Sequence, residues 1–290
     1  MTALFIFVLA APTHSPAGDQ TPSVAVGAQY DTTHVYVPAD VFDRFVASFL
    51  ATFGGTASKK GIVSVTPEPS SAIWQAVSTP VGVLSVFGFQ SGIPYPFGAE
   101  RAGYLVNDLD VAVAAARKNG ADVLVAPFSD PIGRDAIIQW PGGLNMQLYW
   151  HTMPSTHPAL ATIPDNRVYV SKDRADLLIR SFIGFSHGQI LSDQAPAPGV
   201  EIGRPKDTYR RVRIQSKFGT MVVLVTDGHL PFPYGRETTG YEVADLNDTV
   251  AKARAVGADV LVEPFATDDR VAVFLKFPGG YIAEVHALGK

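Results

Sequence analysis

The side chains able to ligate a metal, bind a polar substrate or exchange a proton stand at a few telling places. His34 lies inside Thr33-His-Val-Tyr-Val37, and Arg167 begins Arg167-Val-Tyr-Val170. One strand position thus carries an imidazole once and a guanidinium once. A core position would not accept arginine, so it points into a cavity, where His34 would be a metal ligand or substrate contact; a structural or exposed histidine is the alternative. Glu284 and His286 are two residues apart in a strand and share a face. Gln147 and His151 share a face in the same way, with His151 near the strand end. Glu100 and Glu237 recur at one place in Pro96-Phe-Gly-Ala-Glu and Pro233-Tyr-Gly-Arg-Glu, which suits either a bond to turn amides or a site role. Tyr36 and Tyr169, and Tyr104 and Tyr241, are also repeated, which fits core packing or a binding wall. Arg211 and Arg213 share a strand face that would meet an anion or solvent.

These residues are positioned by a repeat. Pro94-Tyr-Pro-Phe-Gly-Ala-Glu-Arg-Ala-Gly-Tyr returns as Pro231-Phe-Pro-Tyr-Gly-Arg-Glu-Thr-Thr-Gly-Tyr, at a constant offset of 137 residues that holds through Trp140-Pro-Gly-Gly and Phe277-Pro-Gly-Gly. Such self-similarity means duplicated domains. Strand and helix patterns read β-α-β-β-β four times. Phe42, Phe45, Val46, Phe49 and Phe53 fall at helical spacing after a cap at Asp40; Asp108 caps a second helix that Gly120 ends. Residues 31–152 and 165–290 are expected to be two domains joined by a proline-bearing linker, 153–164, with Gln194 to Gly199 a loop.

The chain has 290 residues, no cysteine and a net charge of −4. Disulfides and thiolate chemistry are excluded, and nothing offers the basic field that nucleic acid requires. A small molecule is the expected partner. Residues 1–30 read as a secretory signal peptide and linker: the apolar run from Thr2 to Ala11 is too short to span a bilayer. The expected location is periplasmic or secreted, or cytoplasmic if the leader does not function.

Paired βαβββ units with a Pro-Gly-Gly turn before a polar-centred last strand resemble the vicinal oxygen chelate superfamily, which includes glyoxalase I, extradiol dioxygenases and bleomycin-binding proteins. The resemblance covers Asp31 to Leu288. It implies an α+β fold of two tandem domains, each a pair of modules with curved mixed sheets and helices outside. In metal-dependent members one divalent ion, here Zn, Ni, Mn or Fe, sits between the half-barrels. Carried over, the ligand positions are His34, Ser85, Glu100 or Arg101, and Gln147 in the first domain. In the second they are Arg167, Val222, Glu237 or Thr238, and Glu284. Neither set is complete. The implied metal ligands are His34, Gln147 and Glu284, with Glu284 and Glu100 catalytic and Tyr36, Arg101, Tyr104, Arg167, Glu237 and Tyr241 around the substrate. Arg167 and Glu284 would otherwise form a buried ion pair. The implied function is a metal-dependent lyase or dioxygenase acting on a small oxygenated molecule, or a metal-free binding protein; a homodimer is compatible with either.

Overall fold

The computed structural model of the chain describes residues 22–289. The expected signal sequence falls in residues 1–21, outside the described residues. Four units follow one another. The first comprises β1 (Asp31–Tyr36), α1 (Phe42–Phe53), β2 (Thr56–Ala57), β3 (Gly61–Val63), β4 (Ala72–Thr79) and β5 (Gly82–Phe89). The second comprises β6 (Ala102–Leu105), α2 (Leu109–Lys118), β7 (Asp122–Ser129), β8 (Gly133–Trp140) and β9 (Leu144–His151). The third comprises β10 (Asp165–Ser171), α3 (Lys172–Ser186), β11 (Gln189–Pro198), β12 (Thr208–Ser216) and β13 (Gly219–Thr226). The fourth comprises β14 (Thr238–Glu242), α4 (Leu246–Ala255), β15 (Asp259–Ala266), β16 (Arg270–Lys276) and β17 (Ile282–Leu288).

Each pair of units shares one curved sheet, giving an α+β architecture. The first sheet runs β2-β4-β5-β1-β6-β9-β8-β7, with β3 also on β4; the second runs β11-β12-β13-β10-β14-β17-β16-β15. In each, the opening strand lies parallel to the last strand of its own unit and antiparallel to the first strand of the next. Alternation along β1 then sorts the side chains: Thr32, His34 and Tyr36 face the hollow of the sheet, while Val35 enters the core behind it.

The helices form where apolar spacing and caps coincide. Asp108 accepts a hydrogen bond from the Val111 N–H at 3.0 Å, and Asp245 accepts one from the Asp248 N–H at 2.9 Å. Asp40 does not cap α1; it sits in a short 3-10 turn, and the helix starts at Phe42. The helices lie on the outer side of the curved sheets, as expected. They cover the convex sheet faces, which meet each other, so α1 packs on α4 and α2 on α3. One core therefore joins the second and third units, and another joins the first and fourth.

Two segments differ from their sequence reading. Gln194 to Pro198 belongs to the edge strand β11, whose pairing with β12 is broken by register shifts that accommodate Pro196. Residues 22–30, expected to be linker, are docked: Val24 and Ala25 are buried, and Ala25 bridges to Val106. Among the described residues, no helix is long and apolar enough to cross a membrane.

Candidate functional site

The hollow of the first sheet encloses a cavity of about 250 Å³. Its walls are mostly apolar, with Val63, Trp74, Phe87 and Phe97 on one side and Ile132 at the mouth. Polar groups gather at the strand centres. His34 pairs across β1 and β5 with Ser85, and Gly103 pairs across β6 and β9 with Gln147, so those ligand positions are neighbours on one curved surface. Gly103 is required there, because a Cβ would come within 2.4 Å of His34 Nε2. Gly240 makes the same room in the second sheet, where a Cβ would meet Glu284 Oε2 at 2.7 Å.

Glu100 lies behind the cavity, fully buried. It accepts a hydrogen bond from the Tyr36 hydroxyl, and its Oε1 is 3.5 Å from His34 Nδ1. Asp135 is absent from the sequence-derived candidates, yet it is a central feature. It faces Tyr149 across β8 and β9, is only 5% exposed, and is hydrogen-bonded by Gln147. Burial pushes its carboxyl up to about 8, with the negative charge of Asp130 adding to the effect. A comparison of the two copies could have found it, since the matching residue, Ala272, is apolar. The linker also contributes: Ser155 and His157 close over the cavity beside His151. Burial holds both histidines below the usual imidazole range.

The second hollow is built of charge. Arg167 takes the place of His34, Arg211 and Arg213 those of Trp74 and Ala76, Arg270 that of Gly133, and Glu284 that of Gln147. Glu284, 1% exposed, accepts a 2.8 Å hydrogen bond from His286 and lies 3.8 Å from Arg167 and 3.9 Å from Arg270. Although burial alone would raise its carboxyl, Arg167 and the other donors prevail and hold it at about 2. It is a fixed counter-ion, so the expected catalytic role for Glu284 and substrate role for Arg167 give way to mutual neutralisation. Arg211 is buried and Arg213 half-buried, and both are held by carboxylates. Arg211 bonds Glu201, while Arg213 pairs with Asp269 at 2.7 Å.

Other expected site residues are placed elsewhere. Tyr104 and Tyr241 point to the convex side: Tyr104 stacks on Phe218 at 4.5 Å and bonds Asn166, while Tyr241 bonds Tyr281 at 2.9 Å and Thr33 at 3.4 Å. Their role is packing between the domains. Arg101 and Glu237 border a smaller cleft of about 70 Å³ at the domain junction, which Tyr36 shares with the main cavity. Burial pushes the Glu237 carboxyl up to about 8 despite Arg101 nearby.

Solved structures of similar form include a mutant 4-hydroxymandelate synthase from Streptomyces coelicolor, with a TM-score of 0.59 and 12% identity over 91% of this chain and 93% of that one. The Mn(II)-bound glyoxalase from Novosphingobium aromaticivorans gives 0.56 and 13%, over 92% and 83%. A 2,2',3-trihydroxybiphenyl 1,2-dioxygenase from Sphingomonas wittichii gives 0.54 and 13%, over 90% and 90%. The chain has the vicinal oxygen chelate fold. At such identities the likeness is one of fold; no protein-family model matches, and no curated protein matches in sequence.

The metal-ligand positions of a vicinal oxygen chelate barrel can be tested on these side chains. The second barrel does not fit an ion, because Arg167 already brings a positive charge to Glu284. The first offers His34 and Glu100, and the Gln147 amide N–H donates to Asp135, which engages its nitrogen and not the oxygen that would ligate. Glu284 lies in the other barrel from His34 and Gln147, so the expected ligands belong to two separate candidate sites. Among the described residues, Glu201, Asp268 and Asp269 are a trio whose ligand atoms lie within 4.8 Å of one another, and arginines already face all three.

Proposed function

We propose that the protein binds a small, largely apolar, oxygen-bearing molecule in the first barrel, as a glyoxalase-like or dioxygenase-type protein whose second barrel is a scaffold. One observation carries this reading. The first hollow is an apolar cavity with His34, Asp135 and Gln147 at its polar surface, whereas the matching volume of the second is taken up by paired ions. A concave apolar site with a few convergent polar groups, one of them a buried acid of raised pKa, is what ligand binding uses. His34 is the group placed to exchange a proton with the ligand. Glu100 stands 3.5 Å from its Nδ1, and the Tyr36 hydroxyl fixes Glu100 in turn.

The test is a thermal-shift and tryptophan-fluorescence screen of catechols, α-keto acids and α-hydroxy ketones on the full chain and on Ala76→Trp, which fills the cavity. Binding by some of these molecules, lost in Ala76→Trp, is the expected result. A panel without a binder, or binding that survives the filled cavity, would sink the reading.

A second reading is favoured by two orphaned atoms: His34 Nδ1 and Glu100 Oε2 are buried without a hydrogen-bond partner. A divalent ion held by these two residues (Zn, Ni, Mn or Fe) would polarise adjacent oxygens of a substrate. Metal content after incubation and gel filtration decides it. About one ion per chain, lost in His34→Ala and kept in Glu284→Ala, supports this reading; no retained metal leaves the first reading alone.

A further inference from the structure

We infer that the first barrel selects a hydrophobic amine, its ammonium group seated against Asp135 and enclosed by aromatic faces. The inference rests on the reading of that barrel as a ligand site and adds a basic amine to the small apolar molecule proposed for it, ranking the anionic members of that panel last.

The second barrel shows how this fold treats an interior carboxylate. Glu284 is faced by Arg167, Glu201 is bonded by Arg211, and Asp269 is paired with Arg213. At the matching positions the first barrel has His34, Trp74 and Ala76, so those guanidinium groups are gone; Glu284 gives way to Gln147, but the first barrel carries acids of its own. Asp135 lines the cavity, Asp130 stands at its mouth, and Glu100 lies behind its floor. Among the described residues, no lysine or arginine lines the cavity. The neighbouring Arg134 is turned outward, to Asp110 at 2.7 Å. The Asp135 side chain bonds only a neutral amide, that of Gln147.

The walls suit a cation as well. Tyr36 stacks on Phe87 at 5.2 Å, and Trp74, Phe97 and Tyr149 complete an aromatic lining. Aromatic faces attract an ammonium group, most strongly where water is excluded. A carboxylate ligand would bring like charge to the acids with no lysine or arginine in the lining to compensate it. Beside a neutral ligand burial keeps the proton on Asp135, whereas an ammonium supplies the counter-charge that lets the carboxylate ionise. Discrimination by an unpaired buried group is the usual source of such selectivity.

The experiment compares one carbon frame in three charge states, 2-phenylethylamine, 2-phenylethanol and 3-phenylpropanoate, by calorimetric titration of the full chain. The amine is expected to bind about tenfold or more tighter than the alcohol, with the propanoate weakest. The isosteric Asp135→Asn should bring amine and alcohol together, its folding checked by thermal melting. Because the three ligands are compared on the wild-type protein, a variant that fails to fold still leaves a result. Equal binding of amine and alcohol, or tighter binding of the propanoate, overturns the inference. If these amines fail while the oxygenated panel binds, only the amine assignment falls; if neither set binds, the ligand-site reading falls with it.

Discussion

The two barrels share strand order, register and the glycine beneath the site, yet their interiors follow opposite physical rules. Around Gln147 the first is aromatic, hollow and short of positive charge; around Glu284 the second is packed with arginine and acid. The difference lies in a few inward positions: Thr32 against Asp165, His34 against Arg167, Trp74 against Arg211, Tyr149 against His286. A duplicated domain can thus keep its backbone while one copy retains a space and the other fills it. A cavity costs packing. The ion network costs desolvation that only complete pairing repays.

The largest expected effect breaks that pairing. Glu284→Ala strands Arg167, while Arg270 keeps Asp165 at 3.0 Å, and should cost about 3–5 kcal/mol in denaturant unfolding, whereas Gln147→Ala, at the matching position, should cost about 1 kcal/mol. Equal costs would erase the contrast between the barrels. Next comes Gly103→Ala, which forces a methyl group toward His34 and should cost about 1–3 kcal/mol, with ligand affinity falling alongside.

Opposite pH dependences sharpen the comparison. Asp135 and Glu237, both raised to about 8, bind protons in the folded state that the unfolded chain releases near pH 4. The stability they contribute is complete below about pH 4 and is lost as pH rises through about 8. Glu284, held at about 2, contributes stability that is present above about pH 4.3 and lost as pH falls through about 2. Asp135→Asn should therefore flatten the decline toward pH 8 and leave the protein about 1–3 kcal/mol more stable than wild type at pH 9, measured by urea unfolding across pH. The smallest effect is Tyr104→Phe or Tyr241→Phe, about 1 kcal/mol each for the cross-domain hydrogen bond removed.

Much of the fold is legible in the sequence because the repeat fixes it twice. The Asp-Leu caps, the Pro-Gly-Gly turns and the recurring Gly-Tyr all mark constraints of the backbone, which a duplicated domain cannot relax. The site is less legible. His34 and Gln147 can be found by their strand positions, but the same reasoning makes Glu284 a catalytic candidate, because one residue does not reveal the arginines opposite it. Asp135 escapes notice because its strand, Arg134-Asp-Ala-Ile-Ile, reads as core; only the fold shows that the aspartate faces a hollow. Tyr104 and Tyr241 recur because they seal the contact between domains, and a contact surface is kept through a duplication as readily as a site.

That contact has a consequence for how the chain can be divided. Because α1 lies on α4 and α2 on α3, each apolar core is made half from one barrel and half from the other. A chain cut at the linker would carry Phe45, Phe49, Phe182 and Phe185 on faces open to water. The unit repeated in the gene is therefore not the unit that folds: half the chain expressed alone should aggregate or pair with itself, and two halves made separately should find each other.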